Sequence, residues 1–495
     1  MVTKPGHVFD RDWEWEGLTE FAAHHGRGPS GPRATLGVVS GRRRQGKSYL
    51  LQALAQTTGG LYFGAQEATE AVALRNLESA LARHSGTAVD PPFRDWGDAI
   101  AYLFRSHRDR PVPVVLDEFP FLARVSPEIS SIIQRELGPG GSGEGSGVRL
   151  ILCGSAMSVM GRLLAGQAPL RGRAGLELVV KPFGFRDAAT FWDIADPRLA
   201  VLVHSVVGGT PAYRYEFTAG DPPEDLAGFD EWVLRTALNS RSALFREARY
   251  LLAEEPDIRE PALYHSVLAA IAAGRTTSTA IATFIGRKAD HIKHPLNVLE
   301  DCALVTRQLD LFRPTRAYYR VVEPLITFYE AIMQRNWTAL EARDAPAVWQ
   351  AERHTFQAKV LGPHFESLCR DFAREASVSV FGGLATEVGA GVVNDPERRT
   401  QIEIDVAILG VQDPDGPRRV LSLGEAKWGE RMGVDHVRRL GRARDLLGAK
   451  GYDVRDARLA CYSGVGFDDG LREAAAEDDR IVLIDLDRLY QAPTA

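Results

Sequence analysis

The run Gly41-Arg42-Arg43-Arg44-Gln45-Gly46-Lys47-Ser48 carries the residue types needed to hold a polyphosphate. It fits the pattern G-x-x-x-x-G-K-[ST] at each fixed position. Glycines at 41 and 46 let the backbone wrap closely around an anion, so that successive N–H groups and the N-terminus of the next helix face it. Lys47 would reach the β- and γ-phosphates of ATP, and Ser48 would hold magnesium. The eight loop residues and Tyr49 are therefore the expected contacts of the nucleotide. Farther along, Asp117-Glu118 closes an apolar run. In that position Asp117 would bind the magnesium shell and Glu118 would polarise the attacking water. Ser155 ends another apolar run, where it would be either a polar sensor of the γ-phosphate or the N-cap of the next helix. Arg171 and Arg173 are either arginine fingers or a solvated pair.

A second group lies near the C-terminus. Asp405 sits in an alternating stretch, 401–408, and Glu425-x-Lys427 in the next apolar run. Residues two apart on a strand share a face, so Glu425 and Lys427 point the same way.

These groups need scaffolds. Residues 36–39 read as a strand entering the loop and residues 49–55 as the helix leaving it. Further strands are expected at 61–63, 112–116, 148–153 and 176–180, alternating with helical stretches. That alternation implies parallel βαβ units with ligands at the strands' carboxyl ends. Residues 138–147, rich in glycine and serine, read as a flexible loop. Helical patterning dominates from 185 to 337. Within it, helices at 264–271 and 279–286, with Ser278 as N-cap, and a third ending at 296–301 precede a stretch leading toward a wing. Lys288, His291, Lys293 and His294 would give the third helix a basic face able to meet phosphates, while Pro295 would kink that helix or mark its start.

The ordered series from Phe9 to Tyr213 resembles the archaeal-type ATPases of the STAND group, part of the AAA-like P-loop proteins. It comprises Phe9-Asp10-Arg11-Asp12-Trp13-Glu14, the phosphate loop, Cys153-Gly154-Ser155, Gly172-Arg173, Lys181-Pro182-Phe183-Gly184-Phe185 and Gly208-Gly209-Thr210-Pro211-Ala212-Tyr213. Phe9 stands one residue nearer to Arg11 than in the family's box. The resemblance implies that Gly209 and Pro211 approach the nucleotide from a helical lid. Asp405 with Glu425-x-Lys427 resembles the PD-(D/E)xK nuclease signature. That resemblance implies that Asp405 and Glu425 hold magnesium, that Lys427 orients or activates water, and that Glu366, from a preceding helix, completes the metal shell. His436, Arg438, Arg439, Arg442 and Arg444 would either track a phosphate backbone or form a solvated basic helix.

With 495 residues the chain exceeds one core and suggests roughly three domains of ~150 residues. The expected division is 1–195, a P-loop ATPase core; 196–340, a helical lid and winged-helix region; and 341–495, a small α/β restriction-endonuclease-like domain. The fold class is α/β, with a P-loop NTPase parallel sheet. A net charge of −6 excludes a general positive field for nucleic acid, so DNA or RNA would bind only through local patches on the winged helix and C-terminal domain. Cys153, Cys302, Cys369 and Cys461 form no C-x-x-C pair and read as buried thiols. No apolar run approaches the ~18 residues of a membrane span, and the expected location is the cytoplasm. Two functions are compatible with this reading. In one, ATP turnover drives or licenses nucleic-acid cleavage. In the other, ATP operates a slow switch and the C-terminal domain only binds DNA or a partner protein. Self-association is left open.

Overall fold

The computed structural model describes residues 2–24, 27–28, 31–106, 111–253, 255, 257–258, 260–412 and 416–491. The chain is an α/β protein built on two five-stranded sheets with a helical region between them in sequence. The first sheet contains β1 (Thr35–Ser40), β2 (Leu61–Gly64), β3 (Val112–Asp117), β4 (Val148–Gly154) and β5 (Ala174–Val179). All five are parallel, in the order β2-β3-β4-β1-β5. β3 and β4 are buried at every residue, as apolar strands are when helices cover both faces of a parallel sheet. Alternate side chains serve opposite cores. Leu36, Val38, Val114, Leu116, Leu150 and Leu152 join one cluster, whereas Val39, Val115, Ile151 and Cys153 join the other.

The outermost helices obey the helical period. In Trp96–Ser106 the buried residues are Trp96, Ala99, Ile100, Leu103 and Phe104, a stripe at i, i+3, i+4, i+7 and i+8. Residues 138–147 are a set of bonded turns, a correction to the flexible loop read from their composition. The Gly143 N–H donates to Glu136 O at 2.9 Å, and Gly143 O accepts from the Ala34 N–H at 2.9 Å. The Ser142 hydroxyl adds a bond to the Glu136 carboxylate at 2.8 Å.

The middle region contains α1 (Pro261–Ala272), α2 (Ser278–Ile285) and α3 (Ala289–Asp301), followed by an antiparallel hairpin of β6 (Val305–Asp310) and β7 (Arg313–Val321). This is the element order of a winged helix. The N-cap of α2 is Thr277, whose side chain accepts from the Ala280 N–H, one residue earlier than the Ser278 expected. Pro295 lies inside α3 and is buried, so it does not mark that helix's start. Lys288, His291, Lys293 and His294 are all exposed, with Lys293 paired to Asp290 at 2.7 Å.

The second sheet is mixed, in the order β8 (Ala385–Asp395), β9 (Thr400–Gly410), β10 (Val420–Lys427), β11 (Arg458–Ser463), β12 (Ile481–Ile484). The first three strands pair antiparallel and the last three parallel. One face, with Val406, Ile408, Ala460 and Tyr462, shares a single hydrophobic cluster with the helical region from Phe185 onward. The other face receives the hairpin tip. Leu311 enters its core, and Leu311 N–H donates to Ala390 O at 3.1 Å. The wing is thus docked on β8, with Gly389 and Gly391 making room: a Cβ on Gly391 would lie 2.4 Å from the Phe312 ring. Among the described residues no helix is long and apolar enough to cross a membrane.

Candidate functional site

The phosphate loop bridges β1 and the helix Lys47–Thr58, the strand-loop-helix setting expected of it. Gly41 has φ +151° and its missing side chain admits Val180 O, which would lie 2.4 Å from a Cβ. Gly46, with φ +83°, is the residue before the helix. Lys47 is 5% exposed, and its ammonium donates to Arg42 O at 2.8 Å across the loop. Burial lowers its pKa, opposed by attraction to Cys153, Glu118 and Asp117. The loop therefore holds its cation ready beside two carboxylates.

Asp117 ends β3. Its Oδ2 accepts from the Tyr62 hydroxyl at 2.6 Å and its Oδ1 from the Glu118 N–H at 2.8 Å. Burial would raise its pKa, but hydrogen bonds from Cys153, Ser48, Tyr62 and the Glu118 backbone together hold it below the usual carboxylate range. An ionised carboxylate touching the Ser48 hydroxyl gives two hard oxygens side by side, which suits magnesium. Ser48 and Asp117 are the residues that would hold it, and the ion would neutralise charge on the β- and γ-phosphates. Glu118 adopts a left-handed conformation, φ 51°, rare for a side chain of its kind and typical of strained functional positions. The Ser155 hydroxyl lies 3.2 Å from both Glu118 oxygens, and the N-cap of the helix after it is Ala156. Ser155 is therefore not the N-cap of that helix, and its hydroxyl faces Glu118.

These groups surround a cavity of about 670 Å³ lined by residues 43–50, Glu118, Ser155 and Pro211. Its far wall is aromatic: Phe9, Phe183 and Phe191 meet with ring centroids 5.0–5.4 Å apart. Tyr49 lines the mouth, half exposed, edge-on to His7 at 5.5 Å. Gly209 is required by a close approach, since a Cβ would lie 2.0 Å from Phe183 O. That contact sets Pro211 within 3.9 Å of a Cβ built at Gly46. The box residue Arg11 reaches the loop, bonding Gln45 O at 3.3 Å, Glu14 at 3.0 Å, and stacking 4.4 Å over Phe183. Arg171 and Arg173 are exposed and line neither this cavity nor the cleft beside it.

The loop's basic run behaves differently from a row of phosphate-facing cations. Arg42 pairs with Glu323 at 2.9 Å and Arg44 with Glu247 at 2.7 Å, with both carboxylates buried in the helical region. Gly41 and Arg42 open onto the neighbouring cleft instead. Toward an anion, Arg42 and Arg44 offer chiefly their backbone N–H groups. Neither Glu323, Glu247 nor Tyr62 was marked by the sequence pattern; the one available signal was a carboxylate directly before Pro324, at the foot of the wing.

The C-terminal group assembles around β9 and β10. Asp405 Oδ2 accepts from the Ala426 N–H at 3.0 Å, and Arg370 donates to Asp405 O at 2.7 Å. Glu425 pairs with Lys427 at 3.0 Å and also with Arg439. Burial and the Glu366 charge push Asp405 up to about 7. Glu425 stays below its usual range because Arg439 and Lys427 outweigh its burial, and Lys427 is raised because both carboxylates outweigh its own. Glu425 Oε2 is buried without a hydrogen-bond partner. That orphan oxygen and a desolvated Asp405 fit a hard cation, which magnesium can take with two carboxylates and waters. Glu366 instead pairs with Arg370 at 3.6 Å, and among the described residues no three His, Cys, Asp or Glu form a group able to hold a metal. Arg370 and Arg439 are the additions sequence reading missed. The cations of the helix Val434–Ala449 are not free: Arg438 pairs with Asp435, Arg439 with Glu425, Arg442 with Asp395 and Arg444 with Asp445, while His436 meets Glu430 at 3.7 Å.

Asp405 gives a pH test. Its folded pKa lies above the ~3.9 of an unfolded aspartate, so its favourable neutral form is fully present below pH ~4 and is lost as pH rises through about 7. Asp405→Asn should therefore raise Tm over wild type at pH 8 in metal-free buffer and change it little at pH 4. Equal shifts at both pH values would refute the buried, raised carboxylate.

The parallel sheet, its strand order and the glycine loop at the end of β1 define a P-loop fold. No protein-family profile matches the chain. An uncharacterized protein of Methanocaldococcus jannaschii is 25% identical over 308 residues, 61% of this chain. The chain spans 65% of that relative's length. Among solved structures, a Walker-type ATPase of Pyrococcus abyssi is 18% identical, with 67% of this chain and 98% of that one covered at a TM-score of 0.47. The ORC2 protein of Aeropyrum pernix, in ADPNP–ADP complexes, is 14% identical, with 70% and 100% covered at 0.42. Scores at this level carry no argument about function.

Proposed function

We propose that the protein binds and hydrolyses ATP with magnesium, and that its nucleotide state controls the C-terminal domain, a metal-dependent nuclease acting on DNA or RNA. The observation that supports the first half is the cavity where Lys47, Ser48, Glu118 and Ser155 converge. Lys47 would neutralise the phosphates, Glu118 would orient the attacking water, and Ser155 would hold the Glu118 carboxylate in place. Glu118→Gln keeps size and hydrogen bonding but removes the charge. ATP should still bind while turnover falls by about 10²-fold. Hydrolysis at the wild-type rate in both Glu118→Gln and Asp117→Asn would overturn this assignment.

Support for control comes from a continuous route. Arg42 in the loop is tied to Glu323 at the foot of β7, and the hairpin tip is packed into the C-terminal core through Leu311. Breaking a buried ion pair by losing one partner costs about 3–5 kcal/mol, so the loop and wing resist moving apart. A loop rearranged by nucleotide would carry the wing with it. In the C-terminal site, Asp405 and Glu425 would bind the metal and Lys427 would orient the water that attacks phosphorus. Division at 195/196 and 340/341 belongs to this proposal, as does location in the cytoplasm.

A second reading has its own support. Glu425 is engaged by both Lys427 and Arg439, which favours a silent domain that only binds DNA or a partner protein while ATP operates the switch. Purified protein incubated with single-stranded, double-stranded and structured nucleic acids, with magnesium or manganese, with and without ATP, separates the two. Cleavage supports the first reading; no cleavage of any substrate leaves the second.

A further inference from the structure

Beside the nucleotide cavity lies a larger cleft of about 1020 Å³. It is lined by Gly41 and Arg42 of the phosphate loop and by Glu366, Arg370, Asp371 and Asp405 of the C-terminal part. One face of the wing lines it too. Thr306 pairs in register with Arg320 and Gln308 with Tyr318, so these four side chains share that face and all line the cleft. The wing is therefore not idle: its tip is docked, but its polar face borders the space that leads to Asp405.

Arg320 is the unusual member. Its guanidinium donates to Pro363 O at 3.0 Å, and no carboxylate lies within ion-pair distance of it among the described residues. Desolvation and the neighbouring Arg370, opposed by Glu366 and Asp371, push its pKa down to about 9, still charged at neutral pH. Most arginines around the second sheet have a carboxylate ion-pair partner; Arg320 has none, and Glu366 and Asp371, which also line the cleft, attract it only from beyond that distance. Tyr318 beside it is fixed by a bond from its hydroxyl to Asp310 at 3.2 Å and has Arg316 5.0 Å over its ring, leaving a held aromatic side chain two residues from a guanidinium without an ion pair. A cation for phosphate and an aromatic face for a base are the two elements of single-strand recognition.

We infer that this cleft is a binding groove for a single nucleic-acid strand, anchored by a backbone phosphate at Arg320 and led along the wing face to Asp405. A single strand is the expected occupant because only an unpaired base can leave its stack to lie on the Tyr318 ring. The inference extends the nuclease reading by naming the strandedness of its substrate and a path to Asp405, but the groove does not need the site to cut.

The test uses the full-length Asp405→Ala protein and a short fluorescein-labelled oligonucleotide, read by anisotropy. The single strand should bind at least about tenfold more tightly than the duplex of the same sequence. Adding Arg320→Ala should weaken single-strand binding by about tenfold and reduce the slope of log affinity against log salt by about one, as for loss of one phosphate contact. Gln308→Glu places a carboxylate on the same face without removing the guanidinium and should weaken binding as well, so a folding defect at position 320 would not decide the matter. Retained ATP binding certifies the fold of each variant. Unchanged single-strand affinity in Arg320→Ala and Gln308→Glu overturns the groove, as does preference for duplex. Wild-type protein that binds the strand in this way but cuts nothing removes the nuclease and keeps the groove. Wild-type protein that cuts, with Arg320→Ala cutting equally well, keeps the nuclease and removes the groove.

Discussion

Lys47→Ala should abolish measurable ATP binding at micromolar concentrations. Lys47 is the only lysine in the loop, and it lies buried between the Arg42 carbonyl and the carboxylates of Asp117 and Glu118. A charge-assisted contact to phosphate is among the stronger hydrogen bonds, and a loss of about 3 kcal/mol corresponds to roughly a hundredfold in Kd. Isothermal calorimetry with ATP and magnesium measures this directly. Thermal unfolding of the variant without nucleotide checks that Asp117 and Glu118 tolerate the loss of their neighbouring cation. A folded variant that binds ATP as tightly as wild type would show that the loop is not the site.

If the C-terminal domain cuts as proposed, Asp405→Ala should eliminate nucleic-acid cleavage while leaving ATP hydrolysis in place. The carboxylate is one of two brought together at the junction of β9 and β10, and Glu366 is held by Arg370. Deleting one of two leaves too few hard oxygens to fix the ion or polarise its water. Cleavage should fall to background on every substrate the wild type cuts. ATP turnover should persist because the Asp117–Glu118 pair sits on the other sheet and only coupling links the sites. If Lys47→Ala also stops cleavage in a folded protein, ATP licenses the cut through the route from Arg42 to the wing. Cleavage retained in Asp405→Ala would place the nuclease chemistry elsewhere or in a contaminant.

Much of this molecule was legible residue by residue. The phosphate loop declares itself because all its determinants are contiguous: an apolar strand, glycines where the backbone must bend, and a helix whose N-terminus faces an anion. The ends of β3 and β4 were readable for the same reason, since apolar runs closed by a polar residue reflect one strand's burial. Glu425 and Lys427 share a face by the two-residue period alone. The three helices of the winged region were legible in the helical patterning, with the cap at Thr277 displaced by one residue, while of the hairpin only a stretch leading toward a wing was read.

Tertiary structure decided which charges meet. Arg42 and Glu323 are 281 residues apart, and no local pattern distinguishes an arginine that grips phosphate from one pinned to a distant glutamate. Tyr62 at Asp117 and Arg439 at Glu425 depend equally on how elements pack, whereas Glu366 and Arg370 meet because they are four apart on one helix. The docking of the wing on β8, and the cleft this leaves with Arg320 on its wall, arise only when two sheets and a hairpin close on one another. Sequence fixes what each segment prefers through its period, glycines and caps. The partner of a buried charge is chosen by desolvation, which acts only after the chain has folded around it.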